Sequence, residues 1–382
     1  MFKDTVLTEP SSASVRVMKP PAMLALATDA FGGRGGIAQY NRDFLCALAE
    51  TGAVSSIHVI PRHAPDAPGL AMPSKTIRQA PARPGRIAYS VTALATALSQ
   101  PVDIVFCGHL FMAPLAALIA KLKDAKLIIQ THGVEAWPHP SRFQMEALKT
   151  ADLVLCVSRY TRAAVVACNA IAPERVLVVP NTVREEFTPG DGSRLRAALG
   201  IGSKRVLLTV ARMDSRERHK GHDRVIAAIP DLVAKGHDVC YAIAGEGDDR
   251  ARLEALARQA GVSDRVLFLG AVGLQELVEA YRMADLFVMP STGEGFGIAF
   301  LEAMACGTPA LGLDVAGAKD ALADGELGMC VPEAELSSAI DRALNAPRPD
   351  PYELAGKVHA RFGRELFAKR VCAALSRLRK AT

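Results

Sequence analysis

The 382-residue sequence has no long hydrophobic run and no closely spaced pair of cysteines. No apolar stretch reaches the roughly 18 residues that a bilayer-spanning helix needs. The cysteines stand singly, which argues against a metal or redox pair. Most lie in apolar runs, where a reduced thiol behaves as a small hydrophobe, and this usage favours the cytosol. They are Cys46, Cys107, Cys156, Cys168, Cys240, Cys306, Cys330 and Cys372.

A strong net charge and an ordered catalytic triad are missing as well. The net charge is only +5, which requires no nucleic acid but suits phosphorylated ligands or anionic lipid. No Ser–His–Asp order and no cluster of metal ligands stands out, so we expect neither a hydrolase triad nor a bound metal. A composition of 50% hydrophobic and 22% charged residues indicates a globular chain, and its length predicts two domains.

Apolar strand-like runs alternate with helical stretches throughout the chain. This spacing predicts the α/β class, with two parallel-sheet domains facing each other across a cleft. In such sheets ligands bind at the carboxyl ends of the strands. The predicted parts are a flexible tail at 1–20, a first domain at 21–187, a linker at 188–204, a second domain at 205–358, and a C-terminal helix at 359–382 that crosses back to the first domain.

The most informative segment reads S-T-G-E-G-F-G-I-A-F-L-E-A-M-A-C-G-T-P-A-L, from Ser291 to Leu311. It places two carboxylates, Glu294 and Glu302, around the start of a predicted helix. The first amides of a helix lack partners and attract anions, and nearby glycines let a ligand approach the backbone. A carboxylate beside such a site can accept hydrogen bonds from sugar hydroxyls. Phosphate and polyol together indicate a nucleotide sugar.

Cations follow the first strand of the second half, in A-R-M-D-S-R-E-R-H-K-G-H-D. Arg212 and Lys220 are predicted to point into the cleft and hold a diphosphate. Arg216 and Arg218 are expected to be solvated. The alternative is that the whole loop is an exposed charged surface.

Other strand ends carry glycines or histidine. The turn around Gly245 is either only a tight turn or a wall of the nucleotide site. Gly35 and Gly36 stand directly before a helix and suit a phosphate or a sugar. His132, in Q-T-H-G-V-E-A-W, is predicted to be a site residue, whereas His109 at the preceding strand end is expected to be structural.

Five segments of the second half resemble the family 4 retaining glycosyltransferases, in that family's order. They read A-R-M-D…H-K-G-H-D, A-G-E-G-D, R-V-L-F-L-G, A-D-L-F-V-M-P-S and E-G-F-G-I-A-F-L-E-A-M-A-C-G-T-P. The resemblance implies the GT-B fold, two Rossmann-like domains with the active site between them. The first half departs more. Its N-T-V at Asn181 resembles the family's usual N-G-V, with threonine in place of the freer glycine.

The resemblance also implies residue roles. Glu294 would contact the donor sugar, Glu302 the ribose hydroxyls, and Arg212 and Lys220 the diphosphate that departs. His132 would lie near the reacting sugar. The further donor-binding residues are Gly35, Gly36, Gly245, Gly270, Val272, Gly295, Phe296 and Gly297.

The implied reaction moves a hexose from a GDP- or UDP-linked donor to an acceptor hydroxyl with retention at the anomeric carbon. It uses no cofactor and no metal, and the leaving phosphate helps to deprotonate the acceptor. The expected acceptor is a glycan or a lipid-linked sugar in bacterial polysaccharide or glycolipid assembly.

Residues 61–90 are rich in basic residues, proline and apolar residues, with Asp66 as their only acid up to residue 86. This segment is predicted to touch anionic lipid, which makes the protein cytoplasmic and peripheral at the inner membrane face. The alternative is a solvated loop.

Three other functions are alternatives to this one. A sugar-phosphate synthase or a sugar-nucleotide epimerase would keep the fold and change the chemistry. A nicotinamide-dependent dehydrogenase needs a G-x-G-x-x-G turn, which the loop G-G-R-G-G does not match. A catalytically inactive sugar-nucleotide sensor would not need the intact Arg212, Lys220, Glu294 and Glu302.

Overall fold

The computed structural model describes residues 19–65, 70–137, 140–168 and 171–380. It contains two α/β domains, each built on one parallel sheet, that face each other across a cleft. The tail predicted at 1–20 falls almost entirely outside the described residues, as does Asp66. All eight cysteines are free thiols. In the described part of the chain, no helix is both long and apolar enough to span a bilayer.

The first domain has seven parallel strands in the order β3-β2-β1-β4-β5-β6-β7. Its strands are β1 (Ala22–Asp29), β2 (Ser56–His63), β3 (Ile77–Gln79), β4 (Ile104–Cys107), β5 (Lys126–Thr131), β6 (Leu153–Cys156) and β7 (Val176–Val178). Its helices are α1 (Gly36–Glu50), α2 (Arg86–Ser99), α3 (Ala113–Lys123), α4 (Arg142–Thr150) and α5 (Arg159–Ala167). Strand β3 falls in the basic segment 61–90, where three residues are too few to show a period.

The second domain has six parallel strands in the order β10-β9-β8-β11-β12-β13. Its strands are β8 (Arg205–Val210), β9 (Val239–Ala244), β10 (Val266–Gly270), β11 (Leu286–Met289), β12 (Ala310–Leu313) and β13 (Met329–Val331). Its helices are α6 (Ser193–Ala198), α7 (His222–Ala234), α8 (Arg250–Gln259), α9 (Leu274–Met283), α10 (Ile298–Ala305), α11 (Ala318–Ala321), α12 (Leu336–Asn345) and α13 (Pro351–Phe362), and α14 (Arg364–Lys380) follows.

The central strands are apolar along their whole length because helices cover both faces of each sheet. Every residue of β4 and β11 is buried, as expected for parallel strands. The chain reverses its direction of winding between β1 and β4 in one sheet and between β8 and β11 in the other. Such switch points open a crevice at the carboxyl ends of the strands.

The chain passes between the domains twice, and the two crossings touch. The hydroxyl of Thr182 donates to the carbonyl of Phe362 over 2.8 Å, and the amide of Val183 donates to the same oxygen over 3.0 Å. After Phe362, helix α14 packs on α1 of the first domain, with the rings of Phe367 and Tyr40 5.8 Å apart.

Residues 188–204, predicted as a linker, contain helix α6, which is fixed to the second domain. Arg196 donates to the carbonyl of Met283 over 2.8 Å, and Arg194 pairs with Glu279 on α9 over 2.6 Å. Short polar turns around a six-residue helix conceal its period in the sequence.

Candidate active site

Lys220 and Glu294 meet at the switch point of the second sheet. Lys220 lies in the loop after β8 and Glu294 in the loop after β11, the two adjacent central strands. Lys220 Nζ lies 2.7 Å from Glu294 Oε1, and the two side chains are only 19% and 8% exposed. The loops are held together because the amide of Thr292 donates to the carbonyl of His219 over 3.0 Å. A nearly desolvated ion pair therefore stands at the cleft.

Arg212 has a fixed backbone and an open side chain. A Cβ on Gly245 would lie 2.1 Å from the carbonyl oxygen of Ala211, so only glycine lets these loops approach. His222 Nε2 lies 3.3 Å from the carbonyl oxygen of Arg212. The Arg212 side chain is 70% exposed, and its guanidinium pairs with Glu217 over 2.5 Å. Because an exposed ion pair is weak, the guanidinium can leave Glu217 for an anion while the backbone stays in place.

The starts of two helices face each other across the cleft. Helix α1 begins at Gly36 and α10 at Ile298, and a Cβ on Gly36 would lie 3.9 Å from Ile298 Cγ2. Their N-cap residues, Gly35 and Gly297, provide no side-chain cap, and neither first turn contains an acidic residue. Free amides and the positive ends of two dipoles therefore converge here, as an anion requires.

Glu302 lies in the second turn of α10 and is almost fully buried. Its Oε2 accepts a hydrogen bond from the hydroxyl of Tyr281 over 2.8 Å. Burial raises the pKa of Glu302 to about 7, although the Tyr281 hydrogen bond opposes the rise. The carboxyl is therefore half-protonated near neutral pH, and its contact with ribose stays a prediction.

His132 is neutral and has a defined tautomer. Its Nε2 lies 2.9 Å from the carbonyl oxygen of Gly108. A carbonyl can only accept, so Nε2 carries the proton and Nδ1 is left as an acceptor. Burial lowers the pKa of His132 to about 4. His109 stacks 6.1 Å from His132, and its Nδ1 accepts from the amide of Phe111.

The two domains touch where His132 and the loop of Glu294 meet. A Cβ on Gly295 would lie 1.7 Å from the carbonyl oxygen of His132, and one on Gly133 would lie 2.5 Å from Gly295 Cα. The side chain of Phe296 is buried and packs 5.7 Å from the ring of Phe362. Only the backbone of Phe296 is therefore left to face the cleft.

Gly270 is the last residue of β10 and Val272 follows it, at the edge of the same crevice. The carbonyl of Gly270 accepts from the amide of Gly245 over 2.8 Å, and Val272 is half-buried. This contact places Gly270 beside the turn that supports Arg212. Their contact with a nucleotide base stays a prediction. Over the described ranges, no group of three or more His, Cys, Asp or Glu side chains is arranged to hold a metal.

Sequence reasoning missed several residues of this region. Arg159 in the first domain pairs with Asp320 and Asp324 in the second. Residues so far apart in the sequence give no local signal of a pairing that depends on how the domains meet. The sequence holds only a weak signal for His222 and Tyr281, namely that each lies in or close to a motif. His222 is two residues after Lys220, and Tyr281 is three residues before the segment A-D-L-F-V-M-P-S.

Comparison with known proteins identifies the family. The model described as Glycosyltransferase Family 4 matches residues 34–187, and Glycosyl transferases group 1 matches residues 192–359. A GDP-mannose-dependent alpha-(1-6)-phosphatidylinositol monomannoside mannosyltransferase of Mycolicibacterium smegmatis is 30% identical over 87% of this chain and 91% of its own. The chain belongs to the family 4 glycosyltransferases. Glycosyltransferase activity follows from this membership.

Other relatives share parts of this family 4 chain or its fold. A D-inositol 3-phosphate glycosyltransferase of Geodermatophilus obscurus is 38% identical over 46% of this chain and 41% of its own. Anabaena Alr3699/HepE, solved in complex with UDP and glucose, superposes with a TM-score of 0.76 at 19% identity, covering 93% of this chain and 99% of its own. Sucrose-phosphate synthase from Thermosynechococcus elongatus superposes with a TM-score of 0.74 at 23% identity, covering 94% and 100%. The predicted GT-B fold is confirmed.

Proposed function

We propose that this glycosyltransferase moves a hexose from a nucleoside-diphosphate sugar to an acceptor hydroxyl, with retention of anomeric configuration and without a metal. The observation that carries the proposal is the nearly buried Lys220–Glu294 pair beside the facing starts of α1 and α10. A bound diphosphate would interact with the ammonium of Lys220 and accept hydrogen bonds from the free amides at the starts of α1 and α10. The hexose would donate hydrogen bonds to two acceptors, the Glu294 carboxylate and Nδ1 of His132.

Charge development explains why these groups suit the reaction. As the bond from the anomeric carbon to the phosphate oxygen breaks, negative charge grows on the leaving diphosphate. Preorganised donors at such a point lower the barrier by several kcal/mol. Lys220, Arg212 and the helix amides would supply them. The new bond forms to the acceptor oxygen on the same face, and the acceptor proton passes to the leaving phosphate, so no protein nucleophile is required.

The donor is proposed to be GDP- or UDP-linked. The name of the Mycolicibacterium relative specifies GDP-mannose, and Alr3699/HepE was solved with UDP and glucose. Gly270 and Val272 offer backbone and an aliphatic side chain to the base, so neither base is favoured by a charged partner.

Slow donor hydrolysis tests this function, because it needs no acceptor. We expect the wild-type chain to hydrolyse at least one GDP- or UDP-sugar, and Lys220→Ala to lose roughly 100-fold or more of that rate. Lys235→Ala is the matched control, since Lys235 pairs with Asp231 on the surface over 3.0 Å. A full rate in Lys220→Ala would refute the diphosphate role. Proton NMR of the transfer product would show the donor's anomeric configuration if the reaction retains it.

The acceptor is proposed to be a glycan or lipid-linked sugar at an anionic membrane surface. Helix α2 exposes Ile87, Val91 and Leu98, which lie on one face at spacings of four and seven. Leu118 and Leu122 on the adjacent α3 are exposed as well. The name of the Mycolicibacterium relative includes phosphatidylinositol monomannoside, a glycolipid.

Basic side chains border this apolar surface and give it a preference for anionic lipid. The guanidinium groups of Arg62 and Arg86 lie 5.1 and 5.4 Å from the ring centre of Phe111, which is itself exposed. Arg83, three residues before α2, and Lys121, on α3, are exposed as well. An apolar stripe with a cationic border fits the interface of a bilayer.

Flotation with vesicles tests the membrane surface. The wild-type chain is expected to float with phosphatidylglycerol vesicles and to stay behind with phosphatidylcholine vesicles. Ile87→Glu combined with Val91→Glu should abolish flotation, whereas Leu274→Glu, which charges an exposed leucine of the second domain, should not. Binding that survives the α2 double substitution would contradict this surface.

A further inference from the structure

The first turn of α5 reaches across the cleft to the second domain. This turn, S-R-Y-T at residues 158–161, follows β6 and therefore lies at the carboxyl edge of the first sheet. Arg159 Nε lies 2.8 Å from Asp320 Oδ1, and Nη2 lies 2.7 and 2.8 Å from the two carboxylate oxygens of Asp324. The backbone amide of Arg159 also donates to Asp320 over 3.3 Å. One planar guanidinium thus bridges two carboxylates of the other domain.

The backbone that presents Asp324 is held in an unusual conformation. Ala323 and Asp324 have φ of 53° and 55°, so two successive residues with side chains occupy the left-handed region. Aspartate visits this region more readily than alanine, so Ala323 adopts it at an energetic cost. Strain of this kind persists where the surrounding structure requires it, and here it turns the Asp324 carboxylate toward Arg159.

The aspartates are joined rigidly to the loop of Glu294. Helix α11, which contains Asp320, is preceded by Gly317, whose amide donates to the carbonyl of Glu294 over 2.9 Å. A Cβ on Gly317 would lie 2.0 Å from the carbonyl oxygen of Gly295. A displacement of α11 would therefore displace the loop that carries Glu294.

The same turn holds the chain's only tryptophan against that loop. Trp137 Nε1 donates to the hydroxyl of Thr161 over 3.3 Å, and the ring of Tyr160 meets the indole edge-on at 5.1 Å. A Cβ on Gly293 would lie 3.7 Å from the Trp137 ring and 3.2 Å from His219. Trp137 is therefore packed between the two domains beside the Lys220 loop.

We propose that Arg159, through Asp320 and Asp324, is a positioning residue that holds the cleft closed and keeps the Glu294 loop against the first domain. Its catalytic consequence rests on the proposed function, since a closed cleft excludes the water that competes with the acceptor. Arg159 is about half exposed, so salt weakens the bridge. The closed state is therefore favoured at low ionic strength.

Tryptophan emission tests the closure without any assumption about activity. Arg159→Ala is expected to shift the emission of Trp137 to longer wavelength in the unliganded protein, as the indole becomes hydrated. The matched control is Arg194→Ala, which removes a 2.6 Å surface pair within the second domain and should leave emission unchanged. Addition of 1 M salt should shift the emission maximum of wild type toward that of Arg159→Ala and leave the emission maximum of Arg159→Ala unchanged. Identical emission in Arg159→Ala and wild type would overturn the closure.

Kinetics then test the positioning role. Arg159→Ala should lower kcat for transfer roughly three- to tenfold and raise the ratio of donor hydrolysis to transfer, because the bridge is partly exposed and its loss is modest. Arg159→Lys should recover part of the loss, and Asp324→Asn added to Arg159→Ala should add nothing. Normal kcat and an unchanged hydrolysis ratio in Arg159→Ala would overturn the role, even if emission shifts. A wild-type chain that hydrolyses no nucleotide sugar would instead refute the proposed function and leave the emission result standing.

Discussion

Glu302 differs from Glu294 in its surroundings, although the two share one motif. Glu294 has a cationic partner in Lys220, whereas Glu302 faces the Tyr281 hydroxyl inside the protein. Burial raises the pKa of Glu302 to about 7, the nearby charge of Asp43 adds to the rise, and the charge of Arg184 opposes it. The folded state therefore binds this proton more tightly than the unfolded chain does.

The sign of the resulting pH effect follows from that difference. Between about pH 4.5 and 7 the folded chain retains the proton of Glu302 and the unfolded chain has lost it. Stability should therefore fall as pH rises through this window. Glu302→Gln removes this pH-dependent contribution. The change that the substitution causes in the free energy of unfolding should therefore be about 1–3 kcal/mol more favourable at pH 8 than at pH 5.

Urea unfolding of wild type and Glu302→Gln at pH 5 and pH 8 measures this difference. Glu326→Gln serves as a control, because Glu326 lies in an exposed pair with Arg361. An equal effect of Glu302→Gln at the two pH values would contradict the raised pKa. Burial of Asp43 raises its pKa to about 7 as well, so the Glu302→Gln variant should keep part of the pH dependence of stability.

At the scale of elements, the two crossings between the domains form one hydrogen-bonded unit. The family's usual residue at position 182 is glycine, and this chain has threonine there. The threonine hydroxyl donates to the carbonyl of Phe362 from a buried position. Threonine thus adds a side-chain hydrogen bond to the backbone bond of Val183 between the outgoing and returning chain, and glycine has no side chain to make it.

Removal of the hydrogen bond from the Thr182 hydroxyl should destabilise the contact between the two crossings. Thr182→Val keeps the shape and loses the donor, and it should lower the free energy of unfolding by about 1 kcal/mol. Thr182→Gly should cost about a further 1 kcal/mol through added backbone freedom. Thr96→Val is the comparison, since the Thr96 hydroxyl donates to the carbonyl of Thr92 within α2. The midpoints of urea unfolding would rank the three variants by stability. A Thr182→Val midpoint equal to that of wild type would show that the hydrogen bond of the Thr182 hydroxyl does not stabilise the protein.

The sequence predicted which residues lie at the cleft better than it predicted the contacts between elements. Lys220 and Glu294 lie on loops after adjacent strands, so an α/β reading already places them at one edge. The helix starts at Gly36 and Gly297 were visible as glycines before apolar helices. By contrast, Arg159 meets Asp320 only because the domains close, and no local pattern contains that information. The three residues of β3 are likewise too few to show the alternation of a strand. The interruption at Gly363 between α13 and α14 is a single residue, which leaves the helical pattern of the sequence unbroken.

At the scale of the whole molecule, the last helix belongs to the core of the first domain. Phe367 is 1% exposed and lies against Tyr40, while Arg364 pairs with Glu50 at the end of α1. The buried residues of α14 join those of α1 in one apolar cluster that extends through both domains. The two domains should therefore lose structure together.

Phe367→Ala should destabilise the protein by about 3 kcal/mol, the usual cost of deleting a buried aromatic ring. Phe143→Ala is the matched control, because that ring is 74% exposed. Thermal unfolding followed by circular dichroism would show a lowered midpoint for Phe367→Ala and an unchanged one for Phe143→Ala. A separate low-temperature transition of the first domain in wild type would contradict the shared core.

The position of α14 also sets an order of events during synthesis. Residues up to 187 leave the ribosome first, yet the surface of α1 that receives Phe367 stays uncovered until nearly 200 further residues have been made. At ordinary elongation rates this interval lasts roughly 10 to 40 s. For that time the nascent first domain exposes an apolar helix face that, in the native structure, α14 covers.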